Sequence, residues 1–427
     1  MDRPPPTLRP APAERSFPVA LTRRRFIAGA SAGVFAAAGA TYAIRSGVLG
    51  SLAGAASFPS NGHVLISVFM RFGADGLSIA APVNDPRYHD LRPGIDIPAS
   101  AGLGIANGFA LHPVMTRLKA LYDAGMVAVI PASGLPGNNR SHFEAQDAVD
   151  RARINPGDYT GWLGRHLTRT AGPNDPLRSF GFATGQPRSL RGSSAVSAPS
   201  LGSFTTSFDA GANAALGAAY AASDDPLLVS TGATTLAAMD EARSVAAAAT
   251  PPPGWPPGGF ARSLAAVKAM IEGGIPLEVA CIDTGGWDTH TEMGSPTDAA
   301  SYMRQNIQNQ IDNPVGAFFE SLGANASRVT MVMTSEFGRR VAVNSDGGTD
   351  HGSGGVTLVI GGGVSGGVKG IWPGLEAPAL VDGDVAVSND VRAVFAEVLA
   401  ERMGNTDIAG TFPGATLGAA SYLGVCA

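Results

Sequence analysis

Cysteine is nearly missing from this sequence: Cys281 and Cys426 are the two in 427 residues. A disulfide framework is thereby excluded, and one bridge at most is open to the chain. Positive charge is not in excess either, since 30 lysines and arginines stand against 35 acidic residues. With no basic footprint, binding to nucleic acid is not expected. Long apolar runs are also lacking. The most apolar stretch, Phe26 to Ile44, is diluted by alanine and glycine and closed by Arg45, near the lower limit of about 17–25 residues for a membrane span. No internal repeat stands out. Glycine and proline are abundant, which points to many tight turns.

The order of the first residues carries information of its own. Arg15 and the run Arg23-Arg24-Arg25 precede the apolar stretch, and small residues follow at Ala53-Gly54-Ala55. That is the charged, apolar, cleavable order of a signal peptide. Thr22-Arg23-Arg24-Arg25-Phe26-Ile27 closely resembles the twin-arginine consensus. We expect residues 1–55 to be a twin-arginine signal and the protein to be periplasmic or secreted, with the twin-arginine translocase as its partner during export. Ala55 is the preferred last residue of the signal, with Ala38 and Ala40 competing. Contact with the membrane is expected only through an uncleaved signal.

Beyond the signal, residues 60–427 are long enough to bury the core of a single large α/β domain. HVLISVFMRF from His63 reads as a buried strand running into the turn Gly73-Ala74-Asp75-Gly76. Pro113–Asp123 has helical spacing, and Met126 opens a second strand, MVAVIPA. A helix starts at Ser141, and another covers Gly161 to Arg169. Residues 186–257 turn to Ser, Ala, Gly and Pro, with a helix over Thr234–Ala249, and read as an insertion or lid. Order resumes with a helix over Phe260–Glu272, a strand ending at Asp283, a helix over Asn313–Leu322, strands VTMVMTSEF and VTLVIGG, and a final helix from Asn389. Strands alternating with helices predict a mainly parallel sheet covered on both faces.

Carboxylates and imidazoles collect at the ends of these strands. They are Asp75; Asp283 with Asp288 and His290 in DTGGWDTH; Glu336 in TSEFGRR; and Asp350 with His351 in GTDHGSGG. In a doubly wound sheet the ligand site lies at the carboxyl ends of the strands, so distant segments can converge there. The last cluster fits less well, because it precedes its strand. Such ligands hold zinc, manganese or iron, and the lack of thiolates beside them argues against a structural zinc knot. Asp288-x-His290 in extended chain points both side chains to one side and can chelate one ion. Taken singly, an Asp after a strand is more often a turn or cap residue than a ligand. Ser141-His142-Phe143-Glu144 fits a capping box, yet a helix start also favours a nucleophile and a phosphate.

The segments RFGADGL from Arg71, LHPVM, LYDAGMVAVI, NRSHFEAQD, GWLGRHL, LRGSSAV, GGWDTH, TSEFGRR, GTDHGSGG and NDVRAVFAEVL together resemble the domain-of-unknown-function family 1501. That family is itself similar to the alkaline phosphatase and sulfatase superfamily, which binds divalent ions at the strand ends of an α/β sheet. The resemblance implies that Asp75 is a first metal ligand and Ser141 the nucleophile. It implies that Asp283 or Asp288 with His290 serves one metal and that His351 completes that site. Glu336 falls where the superfamily has an Asp followed by a metal-binding His, but Phe337 follows here. Either Asp350 or His142 supplies the missing ligand, or only one ion binds.

The implied activity is metal-dependent hydrolysis of phosphate or sulfate esters, the ester being a small molecule or a polymer. One or two ions of zinc, manganese or another divalent metal would activate Ser141 or a water. Arg140, or Arg339 and Arg340, would clamp the oxyanion. The alternative is a non-catalytic exported protein that keeps the fold to bind a surface polymer or a partner.

Overall fold

The computed structural model describes residues 62–154, 157–172 and 175–427. The expected signal, residues 1–55, lies outside them. Among the described residues no helix is long and apolar enough to cross a membrane. The chain divides into two units, and the smaller one, in its described part, is Thr206–Leu236. Its helix Ala210–Ala221 is capped by Asp209 and buries none of its residues.

The larger unit is built on a nine-stranded sheet among the described residues. In chain order the strands are β1 (Val64–Met70), β2 (Val127–Gly134), β3 (Ser179–Gly181), β4 (Val196–Ser197), β5 (Val279–Thr284), β6 (Val329–Thr334), β7 (Gly355–Gly361), β8 (Gly367–Val368) and β9 (Asn389–Asp390). Across the sheet the order is β8-β2-β7-β6-β1-β5-β3-β4, with β9 also paired to β2. β1 lies between β6 and β5, parallel to both. β7 is the exception: it runs antiparallel to β2 on one side and β6 on the other. The fold is therefore α/β with a large, mainly parallel mixed sheet.

Both faces of the sheet are covered, as the unbroken apolar strands demand. One face carries Ile66, Val68, Met331 and Leu358 against helices Thr116–Asp123, Gly259–Glu272 and Asn313–Leu322. The other carries Leu65, Val279, Val332 and Val359 against helices His142–Arg151, Trp162–Arg169 and Val391–Glu397. Trp162 stacks on Phe395 with ring centroids 4.3 Å apart in that second layer. The expected insertion is only partly separate. Within 186–257, Leu190, Leu201, Ala238 and Ala242 are buried in the larger unit.

Two cysteines, no bridge: Cys281 and Cys426 are both free. Burial pushes the Cys281 thiol up to about 12, so it stays protonated and inert.

The reversed strand decides where the site forms. Because β7 runs against its neighbours, its amino end lies with their carboxyl ends, and the Asp350-His351 segment enters the sheet beside Glu336 after β6. The two segments touch backbone to backbone. A Cβ on Gly338 would lie 2.1 Å from the carbonyl oxygen of Gly354, so only glycine permits the approach. On the other flank, β2 pairs with β7 through a bulge in which Gly355 faces Ser133 and Val356 faces Pro131. Ala132, at φ 51°, is the extra residue. Such a bulge bends the strand, and here it precedes the 135–141 loop that delivers Arg140, Ser141 and His142.

Candidate metal centre

His142, Asp288 and His351 come from three separate segments, and one ligand atom of each lies within 4.8 Å of the others. His142 opens the helix that follows β2, Asp288 follows β5, and His351 precedes β7. His290 joins their edge: its Nε2 is 3.0 Å from Nε2 of His351 and 3.2 Å from Oδ1 of Asp288. Oδ1 of Asp288 is 3.5 Å from Nε2 of His142 and 3.9 Å from Nε2 of His351.

Each imidazole is held from behind by an oxygen. Nδ1 of His142 meets Oε1 of Glu336 at 2.7 Å, Nδ1 of His290 meets Oδ1 of Asp350 at 3.0 Å, and Nδ1 of His351 meets the carbonyl oxygen of Arg140 at 2.8 Å. A carbonyl and ionised carboxylates only accept, so Nδ1 carries the proton in all three rings and the lone pair sits on Nε2. Nε2 of His142 is buried with no hydrogen-bond partner. Two Nε2 lone pairs 3.0 Å apart, on His290 and His351, repel unless a cation lies between them. Tetrahedral coordination with bonds of about 2.0–2.1 Å separates ligand atoms by about 3.3 Å. The 3.0, 3.2, 3.5 and 3.9 Å separations given above bracket that value. The donor set of imidazoles with one carboxylate suits zinc, manganese or iron.

The field around Asp288 is positive. Burial alone would raise its pKa, but the hydrogen bond from Nη2 of Arg339, at 2.8 Å, and the charge behind that bond act against it, and Asp288 lies below its ordinary value. Burial lowers His351 against the opposing Arg140 hydrogen bond, and the net shift is downward, which favours the neutral, ligating ring. Arg339 is itself spent. Its guanidinium donates to the carbonyls of Phe72, Gly73, Trp287 and Thr349 as well as to Asp288, and its side chain is wholly buried, so it is a strut and not an oxyanion clamp.

Residues 122–400 match the family described as "Protein of unknown function (DUF1501)". The chain belongs to that family. No curated protein matches the chain. The DUF1501 match contains His142, Asp288, His290, Glu336 and His351, whereas Asp75 precedes it.

The remaining residues singled out in the sequence lie apart from this group. Asp75 is buried, paired with Arg92, and bonded by Leu77 N and Ser78 Oγ at 3.1 Å each. Asp283 is paired at 3.1 Å with Arg71, which also holds buried Asp150 at 2.9 Å. Glu336 stands behind His142 and not beside the common point; Phe72 N, Gln146 and Ser335 complete its shell. Those bonds hold Phe72 at φ 81°, a strained conformation for a side chain of this size. Asp350 backs His290. Arg140 is paired at 2.5 Å with Asp384, whose side chain is wholly buried. Ser141 sits at the helix start, exposed, flanked by Arg140 and His142. The capping box expected there does not form: the serine hydroxyl makes no cap bond, Asn139 Oδ1 takes Ser141 N at 2.9 Å, and Glu144 bonds Asn139 instead.

From the sequence, His142 stands only as a substitute ligand and Glu336 as a metal ligand in its own right. The pairing His142–Glu336 spans 194 residues, and no local pattern announces it. The one available signal was the histidine directly after a candidate nucleophile.

Proposed function

We propose that the chain is an exported, metal-dependent hydrolase of phosphate or sulfate esters on an alkaline phosphatase- and sulfatase-like sheet. The observation that carries this reading is three imidazoles, each fixed at Nδ1, with Nε2 atoms turned on one carboxylate oxygen. A divalent ion held by His142, Asp288 and His351, with His290 at its edge, would polarise the ester and lower the pKa of a nearby hydroxyl.

The chain's own residues supply the rest. Glu336, Asp350 and the Arg140 carbonyl fix the rings, and Arg339 fixes Asp288. Ser141 is the assigned nucleophile, because its hydroxyl is exposed and free of the cap bond that would restrain it. Its Oγ forms a bond to phosphorus or sulfur as the ester bond breaks, and the proton it loses ends on the departing alcohol. Water then releases the serine. Arg140, about one-third exposed and anchored by Asp384, holds an ester oxygen.

The test is the zinc- or manganese-loaded protein against a broad ester panel. Ser141→Ala should keep its metal and lose turnover by about three orders of magnitude; a loaded protein inert on every ester would sink the reading. A non-catalytic binding protein is the second reading. It is favoured by the arginine pairing of Asp75 and Asp283, which leaves one metal-ligand group among the described residues. Unchanged turnover in Ser141→Ala, with one retained ion, would favour it. Export is tested separately: replacing Arg23 and Arg24 with lysine should leave folded protein in the cytoplasm, and normal export of that variant would refute the twin-arginine route.

A further inference from the structure

A cavity of about 190 Å³ lies beside the metal-ligand group. Its walls are the sequence neighbours of the site: Asn138 and Asn139 before Arg140, Gly352 and Ser353 after His351, and Glu336 with Phe337. Phe337 links the two, since its ring stacks on His142 and lies tilted against His351, with centroids 4.9 Å from each. The far wall is apolar and comes from Leu135, Val381, Ala386 and Val387. Val381 is 53% exposed, which puts the mouth at the surface.

The polar side chains in these walls are already engaged. Asn138 Nδ2 donates to the Glu336 carbonyl at 3.0 Å and its Oδ1 accepts from Asn139 N at 3.1 Å. Asn139 accepts from Ser141 N through Oδ1 and donates to Glu144 through Nδ2, and Ser353 Oγ donates to Asp384 at 2.9 Å. The Glu336 carboxylate serves Phe72, His142, Gln146 and Ser335. A guest rich in hydroxyls would leave some of its own groups unpaired there, which disfavours its binding. A cavity of about 150 Å³ suffices for a benzene ring.

We propose that this cavity takes the organic part of the ester, and that this part is uncharged and apolar, an aryl or short alkyl group and not a sugar. The proposal rests on the ester-hydrolase reading above. It is tested by titration calorimetry of the zinc-loaded full chain with phenylphosphonate, methylphosphonate and glucose 1-phosphate. Phenylphosphonate should bind at least about tenfold tighter than the other two. Val387→Trp, which fills the half-buried wall, should erase that preference. Val381→Asp, at the exposed mouth and tolerant of substitution, should reduce it severalfold even if the tryptophan variant fails to fold. Equal binding of phenyl- and methylphosphonate, tighter binding of the sugar phosphate, or a preference indifferent to both variants overturns the proposal and leaves the ester reading standing. If none of the three compounds binds, the phosphate-ester form of that reading falls and this proposal with it.

Discussion

Asp75 and Asp288 are both carboxylates that follow strands of the same sheet, β1 and its parallel neighbour β5, yet their surroundings differ in every respect. Asp75 is buried and saturated: Arg92 pairs with it, and Leu77 N and Ser78 Oγ bond its oxygens. Asp288 has a half-exposed side chain and one engaged oxygen, on which Arg339 converges from the interior and His142, His290 and His351 from the open side. Position at a strand end is common to both; the partner decides the role. A guanidinium turns a carboxylate into a structural tie, whereas imidazoles with free lone pairs leave it one coordination partner short.

Substitutions at the two sites separate these roles most sharply. Arg92→Ala abandons a buried carboxylate and should cost about 3–5 kcal/mol, read by denaturant unfolding, with zinc affinity of the folded fraction unchanged. Asp288→Ala should do the reverse, lowering zinc affinity by two orders of magnitude or more, on the order of 3 kcal/mol or more, while the unfolding midpoint barely moves. If both variants lost stability equally and kept the ion, the contrast would collapse.

Asp312 sharpens the point as a buried carboxylate whose neighbouring charge, Arg117, does not offset its burial. It accepts from Leu118 N at 2.8 Å, and burial pushes it up to about 6. Between the ordinary value of 3.8 and about 6 the folded protein holds a proton that the unfolded chain has released, so stability falls as pH rises through that window. Asp312→Asn, which keeps an acceptor, should flatten that slope by roughly 1–3 kcal/mol, and an unchanged slope in pH-dependent melts would count against the assignment.

Smaller still are the effects behind the imidazoles. Glu336→Gln removes the charge behind His142 and should weaken zinc binding about 10–100-fold. Asp350→Asn does the same behind His290, but its carboxylate is more than half exposed, so competitive chelator titration should find less than about tenfold. A larger loss at Asp350 than at Glu336 would make His290, and not His142, the inner ligand.

How far these roles can be read in advance follows from sequence distance. The alternation of strands and helices is written locally, so helices such as Asn313–Leu322 and strands such as Val329–Thr334 stand close to their expected places. The pair Asp288-x-His290 is also local, and its two ligand atoms lie 3.2 Å apart. Arg92 is 17 residues from Asp75, and Glu336 is 264 from Phe72, whose N–H it accepts; no periodicity encodes such partners. The reversal of β7 is equally silent, because an apolar run of seven residues reads the same in either direction.

That reversed strand also sets an order in time. β7 is wedged between β2 and β6, and both of those leave the ribosome before it does. A chain synthesised from its amino end can assemble β1, β2, β5 and β6 while the slot stays vacant, and His351 reaches His142 only when the last wedge is driven in. Under the metal-centre reading, ion capture would then serve as a completion signal for the nascent polypeptide. Ribosome-stalled chains truncated before Gly355 should yield their zinc to a weak chelator, and chains extended well past Gly361 should resist it.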